Sequence, residues 1–140
     1  MTAIRGCCLC GNVRYEVQAA LGGGHCYCVD CRKSSGTSHC SHMIARDADV
    51  EVTGVLSFFE TAADSGNRVR RGFCPTCGSA VYSTNSGAPG LLFVRASSLD
   101  DPNDFSPQMA VYTSRAPQWA SNDDTLPGFD EMPPANARPA

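Results

Sequence analysis

The sequence predicts a mainly β protein of short strands organised around bound metal, with few and short helices. Three observations predict it. Cysteines gather in tight clusters, short runs alternate apolar with polar residues, and turns rich in glycine and proline separate those runs. No window of about ten residues carries a helical apolar period. At 140 residues the chain fits one domain, 1–140. A chain of that length buries roughly 68–70% of its unfolded surface, so it can own a core without metal.

Taken in order, Gly6-Cys7-Cys8-Leu9-Cys10-Gly11 is a knuckle in which glycines let the backbone fold so that sulfurs point at one ion. Either Cys7 or Cys8 can pair with Cys10. Val13, Tyr15 and Val17 then alternate with polar residues, the pattern of a half-buried strand. Gly22-Gly23-Gly24 reads as a turn feeding the loop His25 to Gly36. That loop holds Cys26, Cys28 and Cys31 in C-x-C-x2-C spacing. Ser38 to Val52 reads as extended, with a turn at Asp47-Ala48-Asp49. Leu56 to Thr61 is a further strand, and Asp64-Ser65-Gly66-Asn67 a hairpin loop. Arg68 to Phe73 runs into a second knuckle, Cys74-Pro75-Thr76-Cys77-Gly78, where proline fixes one φ angle. Ser79 to Ser83 and Leu91 to Arg95 read as strands. Met109, Val111 and Thr113 alternate in a last one. From about residue 122, Pro127, Pro133, Pro134 and Pro139 mark an irregular tail, with its last few residues disordered.

Bulk composition narrows the function classes. The net charge of −3 offers no basic surface for nucleic acid or an anionic membrane. No apolar run approaches the ~20 residues of a membrane span. Met1-Thr2-Ala3-Ile4-Arg5-Gly6 lacks an apolar signal-peptide core, so the expected location is cytoplasmic. In that reducing compartment nine clustered cysteines read as metal or catalytic sites rather than disulfides.

Two pairs far apart in sequence, one in each knuckle, would close a tetrahedral structural zinc. The competing redox role for the Cys74/Cys77 pair lacks a surrounding βαβ pattern. The set Cys26, Cys28 and Cys31 would hold a second zinc with one coordination position for water or a substrate thiol. Alternatively, His25, His39, His42 or Cys40 closes it as a second structural site. Arg32, Lys33 and Ser34 follow directly, and could bind a carboxylate beside the metal or simply be solvated. Asp30 could orient a ligand or cap a helical turn. The three histidines read as structural. Trp119 reads as a core residue, with a pocket border as the alternative.

Four stretches resemble the glutathione-dependent formaldehyde-activating enzyme family, which shares its domain with the centromere-protein-V group. They are GCCLCGNVRY (6–15), HCYCVDCRKSSG (25–36), FCPTCGS (73–79) and the end from Asp101 through LPGFDEMPP (126–134), in the family's order. Cys7 departs from the glycine that members often carry. The resemblance implies a β-tent fold of short antiparallel sheets built around a structural zinc on Cys8, Cys10, Cys74 and Cys77. It also implies a second zinc on Cys26, Cys28 and Cys31, two per chain. The family reaction adds glutathione to formaldehyde, giving S-(hydroxymethyl)glutathione, and is a carbon–sulfur lyase activity. The expectation is therefore a zinc-dependent lyase that takes glutathione or a similar thiol and a small aldehyde. The alternative is a non-catalytic zinc module binding glutathione or a protein partner.

Overall fold

The computed structural model describes residues 3–133. Its strands are β1 (Ile4–Cys7), β2 (Arg14–Val17), β3 (Gly22–Cys26), β4 (Cys40–Arg46), β5 (Val50–Thr53), β6 (Ser57–Ala62), β7 (Arg68–Phe73), β8 (Ala80–Asn85), β9 (Leu91–Arg95) and β10 (Ala110–Val111). A single α-helix among the described residues, α1 (Val29–Ser35), lies between β3 and β4. The chain is therefore mainly β, as its patterning predicts. A three-stranded antiparallel sheet runs β1-β2-β5. A seven-stranded sheet runs β10-β3-β4-β9-β8-β7-β6, antiparallel except for the β10/β3 pair.

The core lies between these sheets. Val13, Tyr15 and Val17 from β2 and the turn before it meet Met43 and Ala45 of β4, Val81 of β8, and Leu92 and Val94 of β9. The alternation of β2 produces this directly: successive side chains leave opposite faces, so Tyr15 and Val17 are buried while Arg14 is exposed. Burial of each such side chain is worth about 1.5–3 kcal/mol, which gives the fold a metal-independent foundation. The Tyr15 hydroxyl, the polar tip in this core, meets Ser98 Oγ at 2.6 Å.

Three local expectations need correction. Gly22-Gly23-Gly24 is not a turn but the body of β3. Glycine is required there by close approach: a Cβ on Gly23, at φ +147°, would sit 1.9 Å from the carbonyl oxygen of His42, and one on Gly24 would sit 2.2 Å from that of Met109. The triplet lets β3 fit between β4 and β10. The last strand is shorter than its alternation suggests. β10 stops at Val111 because Tyr112 turns into the left-handed region at φ 55°, and Thr113–Arg115 form a 3-10 turn. Trp119 is not in the core; it is 68% exposed.

The tail carries no helix among its described residues. It is tied back by one bridge, Ala110 with Gly128, and by bonds from Phe129 N to Ala110 O and from Ala110 N to Pro127 O. The disorder expected for the final residues concerns 134–140, which lie outside the described residues, as do Pro134 and Pro139.

Candidate metal centres

The two knuckles meet. Cys8 and Cys10 lie on the turn between β1 and β2, Cys74 and Cys77 on the turn between β7 and β8, and the four sulfurs all lie within 4.8 Å of one another. Cys8 Sγ is 3.6 Å from Cys10 Sγ, which is 3.7 Å from Cys74 Sγ. A tetrahedral ion with metal–sulfur bonds near 2.3 Å spaces its sulfurs roughly 3.8 Å apart, so this donor set fits zinc. Backbone and hydroxyl groups support it: Val13 N donates to Cys8 Sγ at 3.3 Å, and Ser79 Oγ lies 3.2 Å from Cys77 Sγ. The contact with Ser79 holds the Cys77 thiol down at about 5. Cys7 stands apart, its sulfur 3.5 Å from Asp100 Oδ1.

The second cluster is built by a helix start. Cys26 ends β3. Cys28 is the N-cap of α1, its sulfur accepting from Cys31 N at 3.3 Å, and Cys31 lies in the first turn. One cap residue and one first-turn residue thus aim their sulfurs the same way. The sulfurs of Cys26, Cys28 and Cys31 lie within 4.8 Å of one another. Among the described residues, no fourth cysteine, histidine or carboxylate donor lies within that distance of all three. Hydrogen bonds from Cys26 and Cys31 hold Cys28 at about 2, while contact with Cys28 pushes Cys26 up to about 12 and contact with Cys26 raises Cys31. Such a cluster of thiols shares its protons unevenly, and a divalent cation competes for the same lone pairs. The chemistry of these donors therefore fits a soft-to-borderline metal.

The polar residues after Cys31 divide. Arg32 is half-buried and Lys33 exposed, and neither belongs to an ion pair among the described residues. Ser34 is exposed as a residue, but its hydroxyl is engaged: it donates to Cys31 O at 3.3 Å and accepts from Arg95 Nη2 at 3.1 Å. Asp30 sits in the first turn of α1 and does not cap it; Cys28 does.

Arg95 was not singled out by the sequence. It is only 5% exposed, at the end of β9 opposite His42 on β4. No signal in a single sequence distinguishes it from the other arginines; only strand pairing buries it. Of the histidines, His25 Nδ1 lies 2.8 Å from Ser41 Oγ and His39 Nδ1 lies 3.0 Å from Ser38 Oγ. His42 instead places Nε2 3.6 Å from Cys31 Sγ. A shallow cavity of about 190 Å³, lined by Asp47, Glu60, Arg68 and Arg70 among others, holds none of the cysteines. No helix among the described residues is long and apolar enough to cross a membrane.

A family model described as glutathione-dependent formaldehyde-activating enzyme matches residues 3–115. A protein of Halomonas elongata, provisionally named a glutathione-dependent formaldehyde-activating enzyme, is 28% identical over 123 residues, covering 83% of this chain and 78% of the relative. A crystal structure of a Rhodobacter sphaeroides protein superposes with a TM-score of 0.58 at 26% identity, covering 71% of this chain and 93% of that one.

Proposed function

The chain belongs to the glutathione-dependent formaldehyde-activating enzyme family, and from that premise we propose that it is a zinc-dependent carbon–sulfur lyase. It would join glutathione or a similar small thiol to formaldehyde or another small aldehyde beside Cys26, Cys28 and Cys31. The observation that carries this reading is the count of donors: three sulfurs converge, and no fourth protein donor among the described residues joins them. The other cluster, with four, is complete for a tetrahedral ion.

The reaction forms one C–S bond. A thiolate sulfur attacks the carbonyl carbon, the C=O π pair moves to oxygen, and that oxygen takes a proton. A free thiol with a pKa near 8.5 is mostly protonated at neutral pH. Zinc, when bound, supplies a Lewis acid that keeps a coordinated thiol deprotonated and leaves room for it as a ligand. The chain's own residues do the rest. Cys26, Cys28 and Cys31 hold the ion, with Cys28 fixed as helix cap and Cys31 buried in the first turn. Arg32 and Lys33, without ion-pair partners among the described residues, are free to meet a substrate carboxylate. Ser34, exposed at the same helix end and accepting from Arg95, offers its hydroxyl beside them.

The test is exchange spectroscopy of labelled formaldehyde with glutathione, read against the uncatalysed exchange in buffer. The wild type should exceed that background, and Cys28→Ser should fall to it. Equal rates for wild type and buffer would leave a non-catalytic zinc module.

A further inference from the structure

Beside the open triad lies a second set of donors that it does not use. Cys31 Sγ, Cys40 Sγ and a ring nitrogen of His42 also lie within 4.8 Å of one another, and His42 Nε2 is 3.6 Å from Cys31 Sγ. Cys40 and His42 are two residues apart on β4, so their side chains leave the same face of the strand. β4 lies inside its sheet, hydrogen-bonded to β3 on one side and β9 on the other, and the contacts of Cys40 and His42 with Cys31 turn that face toward α1. Neither residue completes the first triad: no group of four forms with Cys26, Cys28 and Cys31. The two sets touch only at Cys31.

We propose that Cys31, Cys40 and His42 form a further metal subsite for a zinc-class divalent cation, and that this subsite shares the Cys31 sulfur with the first triad. The loop could then hold two ions bridged by one thiolate. Sulfur and imidazole donors select zinc-class ions over magnesium or calcium. The donors are shielded from water, with Cys31 and Cys40 buried and His42 half-buried. Among the described residues His42 Nδ1 is buried without a hydrogen bond, while Nε2 lies 3.6 Å from Cys31 Sγ and Phe93 packs edge-on against the ring at 6.2 Å. The thiolates of Cys26, Cys28, Cys31 and Cys40 would balance the charge of two divalent ions.

The same geometry makes this the weakest metal site of the chain. Cys40 Sγ donates to Cys31 O at 3.0 Å, and metal binding gives up that hydrogen bond and releases the Cys40 proton to solvent. A metal-ligating histidine usually anchors its other nitrogen on a carbonyl or carboxylate, and His42 Nδ1 lacks such an anchor. The subsite should therefore fill last, after the four-cysteine site and the first triad.

This inference rests on the first triad holding metal, and the experiment separates the two. Non-denaturing mass spectrometry of the full chain, titrated with zinc, counts the ions. The expected result is three ions for wild type and two for both Cys40→Ser and His42→Ala, with Cys7→Ser keeping three as the control for loose binding to thiols. Cadmium-113 resonance spectra of the three-ion form should show two of the three signals coupled through the shared sulfur. Two ions in the wild type under excess zinc would overturn the subsite and leave the first triad standing. One ion would overturn both. Three ions that persist in both variants, or that show no coupled pair, would overturn the assignment to these residues.

Discussion

The four-cysteine cluster and the three-cysteine loop offer the same donor chemistry in two different settings. In the first, two turns bring sulfurs 64 residues apart in sequence, those of Cys10 and Cys74, and with them the small sheet and the large sheet, to one point. Closing so long a loop constrains the unfolded chain, and metal binding there is coupled to folding. In the second, Cys26 to Cys31 are local, and their positions are set by β3, one helix cap and the first turn of α1. Local ligands constrain little of the unfolded chain. On the proposed reading, donor number and sequence separation together divide labour: the distant four would fasten the fold, and the local three would leave a position for chemistry.

The sharpest way to break this comparison is to remove one ligand from each cluster. Cys74→Ser should cost more than about 4 kcal/mol of stability, the range reserved for loss of a metal or a buried network. Thermal melting read by circular dichroism should show a much lower or absent transition. Cys28→Ser should do the reverse. Serine is itself a favoured N-cap, so α1 keeps its cap. The melt should shift little while the loop metal and the thiol-addition activity are lost. A melt that falls as far as that of Cys74→Ser would mean the loop is structural too.

Gly23→Ala tests whether β3 positions the loop. Its Cβ would meet the backbone of His42 at a strained φ, and roughly 1–3 kcal/mol should be lost. Slippage of β3 should carry Cys26 out of the triad, so loop metal should fall alongside stability. Metal binding that stays intact at reduced stability would place the triad's geometry in α1 alone. The smallest effect belongs to Arg32→Ala with Lys33→Ala. Exposed ion pairs are worth about 0–1 kcal/mol each, so calorimetry should show only a few-fold weaker glutathione binding, with the melt unmoved.

How much of this was legible in the sequence depends on the reach of each feature. The alternation Val13, Tyr15, Val17 gives β2 because a strand's inside and outside are written at period two. The cysteine clusters were visible from spacing alone. Their grouping was not, since both Cys7 and Cys8 could have joined Cys10; pairing β1 with β2 takes Cys7 toward Asp100 instead. Gly22 to Gly24 read as a turn because glycine in isolation favours one. The requirement that made it a strand, close approach of β4 and β10, lies in residues tens of positions away. Arg95 and the orientation of His42 were equally hidden, since strand pairing across β4 and β9 sets both. Trp119 shows the converse: a large apolar side chain suggests a core, and only the fold leaves it exposed.

The proposed activity requires that the three-cysteine loop bind metal with a position left for a thiol. Zinc-edge X-ray absorption on protein loaded with two zinc ions per chain, recorded before and after glutathione is added, tests it most directly. The average number of sulfur neighbours per zinc should rise on addition. A spectrum that glutathione leaves unchanged would contradict it, and both clusters would then be fastenings of the fold.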